Sequence, residues 1–145
     1  MIPLLLALTL WPSWQIVAQG ASSAGACELR SKVFVAGTFR AAVAFIPCLR
    51  DEDQAAVARV HFTSVVLVAA LSTTPTPCYR LEIVDLRRYK QTLTVDAVVR
   101  PPPADIGCIF TVGRPYHVIA VPRLLIGRPL PQRVVFNERR LPPAP

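Results

Sequence analysis

The residues of this chain whose types suit chemistry are four cysteines, two histidines, a short acidic run and a few serines and tyrosines. Cys27, Cys48, Cys78 and Cys108 are widely spaced, with no C-x-x-C pair and no Cys/His cluster. His61 and His117 lie far apart in the chain, so the sequence offers no zinc motif, and no metal or cofactor is expected. Asp51, Glu52 and Asp53 supply paired carboxylates, but acids at a helix start more commonly match the helix dipole as solvated surface. Ser64 and Ser72 have no Gly-x-Ser-x-Gly setting. His61, beside Phe62, reads as an edge-of-core histidine, and His117 as an outward-facing strand residue. No catalytic constellation can be assembled, and the expectation is a protein that is not an enzyme.

The cysteines therefore read as structural. An even count suits disulfides in an exported domain, and three pairings are possible in principle. Cys27–Cys48 and Cys78–Cys108 are favoured, because each pair brackets a hairpin-like excursion. A bridge closing a loop of that size stabilises by roughly 3–4 kcal/mol on the chain-entropy estimate.

Length and composition agree with one small domain. The chain has 145 residues, 52% apolar and 17% charged, which excludes a disordered polymer. Its 15 prolines argue against a helical bundle. Residues 2–10 form a short apolar run, followed by a polar and small-residue stretch that ends at Ala26, the pattern of a secretory signal. Small residues fit cleavage after Gly20, Ala24 or Ala26, so the leader is assigned to residues 1–26. A retained anchor is disfavoured by Pro3, Pro12 and Gln15, and lipidation at Cys27 by Ala24 where lipoprotein signals carry leucine. The expected location is extracytoplasmic: periplasm, cell envelope or medium. No stable membrane span is expected once the leader is removed. The net charge of +7 comes from scattered arginines without interleaved aromatics, which argues against nucleic acid and for solubility or acidic partners.

Hydrophobic patterning supplies the elements. Residues 32–36 and 41–46 read as two strands around Gly37 and Thr38. Asp51 and Gln54 have capping-box spacing ahead of Ala55, Ala56, Val57 and Ala58, which predicts one short helix. Residues 64–71 are apolar on both alternating faces, as in a central strand covered on both sides. Residues 79–83 alternate until the phase slips at Val84, a bulge or strand end. Leu93, Val95, Ala97 and Val99 alternate with Thr92, Thr94 and Asp96, and Pro101, Pro102 and Pro103 then stop the ladder. Strand character returns at residues 116–121 and 134–136. The expected fold is mainly β: a small antiparallel β-sandwich or partly open barrel with one short helix over residues 27–138. A disordered Pro-rich tail over 139–145 follows.

This order of pieces resembles the C-terminal domain of the PrcB family, the protease-complex subunit, over about residues 60–123. The likeness rests on the buried strand at 65–70, the Tyr79-led strand, the strand at 93–99, and Thr111 with Pro115, Tyr116 and the strand running from Val118 to Pro122. Where the family has Thr-Gly-Gly-Tyr, this chain has Thr76, Pro77, Cys78 and Tyr79. Proline cannot reach the positive φ that glycine allows, so the turn must differ in shape. A Cys78–Cys108 bridge would then hold what glycine geometry holds in the relatives, provided the two Cα atoms lie within about 7 Å.

The resemblance implies an exported, non-enzymatic accessory or binding domain that acts through contacts with another protein, such as a secreted protease. The candidate binding loop is Pro75, Thr76, Pro77 and Tyr79 together with Tyr116. The alternative is a secreted protease inhibitor of the chagasin-like type, whose turn enters an enzyme cleft.

Overall fold

A computed structural model describes residues 13–23, 27 and 32–143. The apolar run at 2–10, the cleavage-site residues Ala24 and Ala26, and the last two residues lie outside the described set. Among the described residues, seven strands and three helices follow in the order β1 (Gln15–Ser23), β2 (Val33–Ala36), α1 (Phe39–Ala42), α2 (Asp51–Ala58), β3 (Val65–Leu71), β4 (Arg80–Tyr89), β5 (Thr92–Arg100), β6 (Gly113–Pro122), α3 (Arg123–Ile126) and β7 (Arg133–Arg140). A 3-10 turn at Ile46–Cys48 lies between α1 and α2.

The strands form two stacked sheets, one ordered β1-β6-β3-β2 and the other β4-β5-β7. The first is antiparallel throughout, with β3 paired to both β2 and β6. That central position explains the unbroken apolar run of β3. Val66, Val68 and Ala70 face the second sheet, where they meet Leu81, Ile83, Leu93, Val95, Ala97 and Val99. Leu67, Ala69 and Leu71 face the opposite way, under Ala42, Phe45, Cys48, Leu49 and Val57 of the helical segment. Each Val, Leu, Ile or Phe among them, removed from water, contributes on the order of 1.5–3 kcal/mol.

The mainly β sandwich is as the patterning indicates, and among the described residues the two sheets do not close into a barrel. One pairing departs from an all-antiparallel sheet: β7 runs parallel to β5, from Thr92↔Arg133 to Val99↔Arg140. The phase slip at Val84 is a register shift between Ile83 and Asp85 in the β4–β5 pair. The strand β7 extends through Arg139 and Arg140, two residues into the segment expected to be a tail, and Leu141 N–H donates to Val99 O at 3.0 Å.

Two expectations about local structure need correction. The segment at 41–46 is no strand: Thr38 Oγ1 accepts the Ala41 N–H at 3.1 Å and caps α1, and β2 pairs with β3 instead. Alanine-rich residues 41–44 have low strand preference, and Ala42 and Phe45 at helical spacing cover the sheet. The start of α2 is not a capping box, since Arg50 is the N-cap without a side-chain cap and Gln54 Nε2 donates to Leu49 O at 2.9 Å.

The segment read as the leader, residues 1–26, includes one of these strands. Residues 15–23 form the edge strand β1, paired with β6 from Gln15↔Ala120 to Ser23↔Gly113. Ala18 and Ser22 are buried against the first sheet. Cleavage after Gly20, Ala24 or Ala26 would remove most or all of a built element of the sandwich.

Candidate interaction surface at the Cys78–Cys108 end

The β4–β5 hairpin places Arg80 opposite Arg100. The segments that flank these two residues therefore emerge together at one end of the sandwich. Cys78 and Cys108 join them there, with Cα atoms 6.2 Å apart. Cys27 and Cys48 form the second bridge, which ties the segment after β1 to the turn before α2. Both pairings are those favoured from spacing.

The loop at 72–79 is tied down along its length. Thr74 and Gly113 exchange backbone hydrogen bonds at 2.9 Å, and Ser72 N–H donates to Pro115 O at 3.0 Å. Thr74 Oγ1 donates to Thr76 O at 2.7 Å. Gly113 makes the fit possible, because a Cβ there would stand 2.5 Å from both the Pro77 Cα and the Thr76 carbonyl oxygen. No residue of this turn adopts positive φ, so its shape is one that Pro77 accepts.

The sequence-derived binding loop is only partly a surface. Pro75 is exposed, and Thr76, Pro77 and Tyr79 are half-buried. Tyr79 packs toward the core between the sheets, whereas Tyr116 belongs to the core on the other side of the first sheet. Tyr116 is fully buried, so it cannot join Tyr79 in an accessible patch. Its hydroxyl donates to Asp53 and accepts the Arg50 backbone N–H at 3.2 Å, which fastens α2 to β6. Burial, followed by the bond to Asp53, raises the phenol above its ordinary value. The acidic run thus has a positional use that its own sequence does not disclose.

A cluster of exposed apolar residues lies on the loop across the disulfide. Between the proline stop and Gly113, Ile106, Ile109, Phe110 and Val112 are all exposed, Ile109 by 69% and Phe110 completely. Isolated exposed apolar residues are ordinary, whereas several on one anchored loop make a surface that calls for a reason beyond packing. Sequence reading missed it because these residues follow neither the strand nor the helix period. Their nearness to Cys108 was the available signal.

The remaining chemical candidates do not converge. His61 and Ser64 are exposed, with Ser64 Oγ donating to His61 O at 3.2 Å. Ser72 is buried and donates to Glu138. His117 is not outward-facing: it is 1% exposed, and its Nδ1 accepts the Ile83 N–H at 2.8 Å. Among the described residues, no group of three His, Cys, Asp or Glu side chains stands close enough to hold a metal, and no helix is long and apolar enough to cross a membrane.

Burial pushes the His117 imidazole down to about 4 from 6.5, an effect that Arg80 assists and Glu82 opposes. Between those two values the unfolded chain binds more protons than the folded one, so stability is full above pH 6.5 and falls as pH drops toward 4. The loss amounts to about 3 kcal/mol from this residue. Urea unfolding at stepped pH checks it: His117→Asn, whose Oδ1 replaces the Nδ1 acceptor, is expected to lose that component of the slope.

No family model, curated protein or solved structure matches this chain.

Proposed function

We propose that this chain is an exported, non-enzymatic accessory domain that engages another protein through the loops joined by Cys78–Cys108, as its resemblance to the PrcB family implies for subunits of secreted protease complexes. The observation that carries this reading is the apolar cluster of Ile106, Ile109, Phe110 and Val112, displayed on a loop that a disulfide anchors. A pinned loop loses little conformational freedom on docking, so more of the contact energy remains as affinity. Two disulfides suit an oxidising compartment, and a net charge of +7 favours an acidic partner surface. The half-buried state of Thr76, Pro77 and Tyr79 supports this reading over an inhibitor whose turn projects into a cleft.

Phe110→Ser is expected to weaken partner binding roughly 10- to 30-fold, the effect of removing an aromatic anchor, while leaving thermal unfolding unchanged. In the producing cells the same substitution should lower the amount of mature secreted protease without altering its turnover per molecule. A stoichiometric fall in turnover that depends on the Pro75 to Tyr79 turn would instead establish an inhibitor.

A further inference from the structure

The open margin between the sheets, where β1 faces β4, contains a cavity of about 240 Å³ whose lining includes Trp14, Gln19, Arg80, Glu82 and His117. Both strands break register beside it, β1 between Ile16 and Ala18 and β4 between Ile83 and Asp85. Bulges of this kind re-aim side chains and recur next to binding sites.

His117 sits on β6 opposite Gln19 and reaches across to β4 through its bond from Ile83 N–H. Among the described residues its Nε2 is buried without a hydrogen-bond partner. A neutral imidazole that accepts at Nδ1 carries its proton on Nε2, so the unpaired group is a donor. That tautomer has no lone pair at Nε2 for a metal, and it calls for a hydrogen-bond acceptor. An unpaired buried donor is costly, and an arriving acceptor recovers that cost.

The charges around the cavity narrow the class of acceptor. Arg80 donates from Nη2 to Gln19 Oε1 at 3.0 Å and, among the described residues, has no carboxylate partner. Gln19 Nε2 is engaged by Leu81 O at 2.9 Å. Glu82 is matched by Arg100 Nε at 3.2 Å. Among the described residues, Arg80 is therefore the cation of the lining that no carboxylate neutralises, which disfavours positive ligands and favours anions.

We propose that this cavity binds a carboxylate, with Arg80 supplying the charge, His117 Nε2–H a neutral donor and Trp14 an apolar wall. A carboxylate suits the pair because it is acceptor-only and its two oxygens can take both donors together. The burial-lowered pKa of His117 keeps the ring uncharged at neutral pH, with its one proton on Nε2. The carboxylate belongs either to a free small acid or to the C-terminus of a peptide chain. The site is separate from the apolar loop and does not depend on the function proposed for it.

The test uses the full, oxidised chain labelled with 15N, following the His117 Nε2–H and Ile83 amide signals. Acetate, benzoate, a short peptide with a free C-terminus and its C-terminal amide are titrated, with benzyl alcohol as the uncharged control. A saturable shift of Nε2–H is expected, with affinity at least about tenfold weaker in Arg80→Gln while the Ile83 signal keeps its position. A response to benzoate and acetate assigns a free acid, and a response to the peptide but not its amide assigns a chain terminus. The proposal is overturned if none of the carboxylates moves the Nε2–H signal, if benzyl alcohol moves it equally, or if Arg80→Gln responds as the parent does.

Discussion

A chain that begins at Ala24 is expected to be less stable than one that begins at Ser13 by on the order of 5 kcal/mol, and to self-associate. Both chains keep Cys27, so the comparison isolates β1 from the disulfide. The deletion removes a ladder of eight paired positions with β6 and buried Ala18 and Ser22. It also removes Gln19, which bridges the sheets through its bonds with Leu81 O and Arg80. Losing several net hydrogen bonds of about 1 kcal/mol each, together with apolar burial, approaches the entire stability of a small domain. The edge of β6 would be left bare beside Tyr116, Val118 and Ala120, and unpaired edges template association. Thermal unfolding and gel filtration of the two chains check this; equal midpoints and two monomers would refute it. The same physics predicts that the mature N-terminus, read by Edman degradation or intact mass, lies at or before Trp14.

The second large effect is expected at the loop bridge. Replacing Cys78 and Cys108 together by serine opens a loop spanning a sequence separation of 30. Chain entropy then predicts a loss of roughly 3–4 kcal/mol. The damage should be local as well as global. Thr74 and Gly113 still hold the 72–79 side through their paired backbone bonds, but residues 101–112 have few internal bonds, among them Ile106 N–H to Pro103 O at 3.1 Å. Limited proteolysis should therefore cut near Ile109 and Phe110 in the double variant well before it cuts 72–79. Cleavage of both loops at the parent's rate would show that the disulfide does not organise this end.

Much of the sandwich was legible because its strands obey local rules. Alternation in β5 and the two-sided apolar run of β3 identify strand, face and position before any pairing is known. The bulge at Val84 was readable as a phase slip, and the disulfide pairing from the segments it encloses. What was not legible is non-local or ambiguous in composition. Residues 15–23 have the mixed polar and small composition of a leader's end, and their pairing in the sheet depends on β6, far away in the chain. Residues 41–46 carry apolar side chains that fit either period, and the Thr38 cap decides for helix. Tyr116 and Asp53 meet across a separation of 63, and His117 meets Ile83 across 34, so neither contact has a signature in sequence. The apolar cluster at 106–112 escaped because function, not packing, is the reason proposed for its composition.

The central claim, that the loop fastened by Cys78–Cys108 is a protein-docking surface, is tested most directly by placing a photoreactive phenylalanine at position 110 and irradiating the producing cells. Tyr89, 76% exposed at the opposite end of the β4–β5 hairpin, is the control position. One discrete adduct with a single protein from position 110, and none from position 89, is the predicted result. Adducts absent from both positions, or the same adducts from both, would contradict the account.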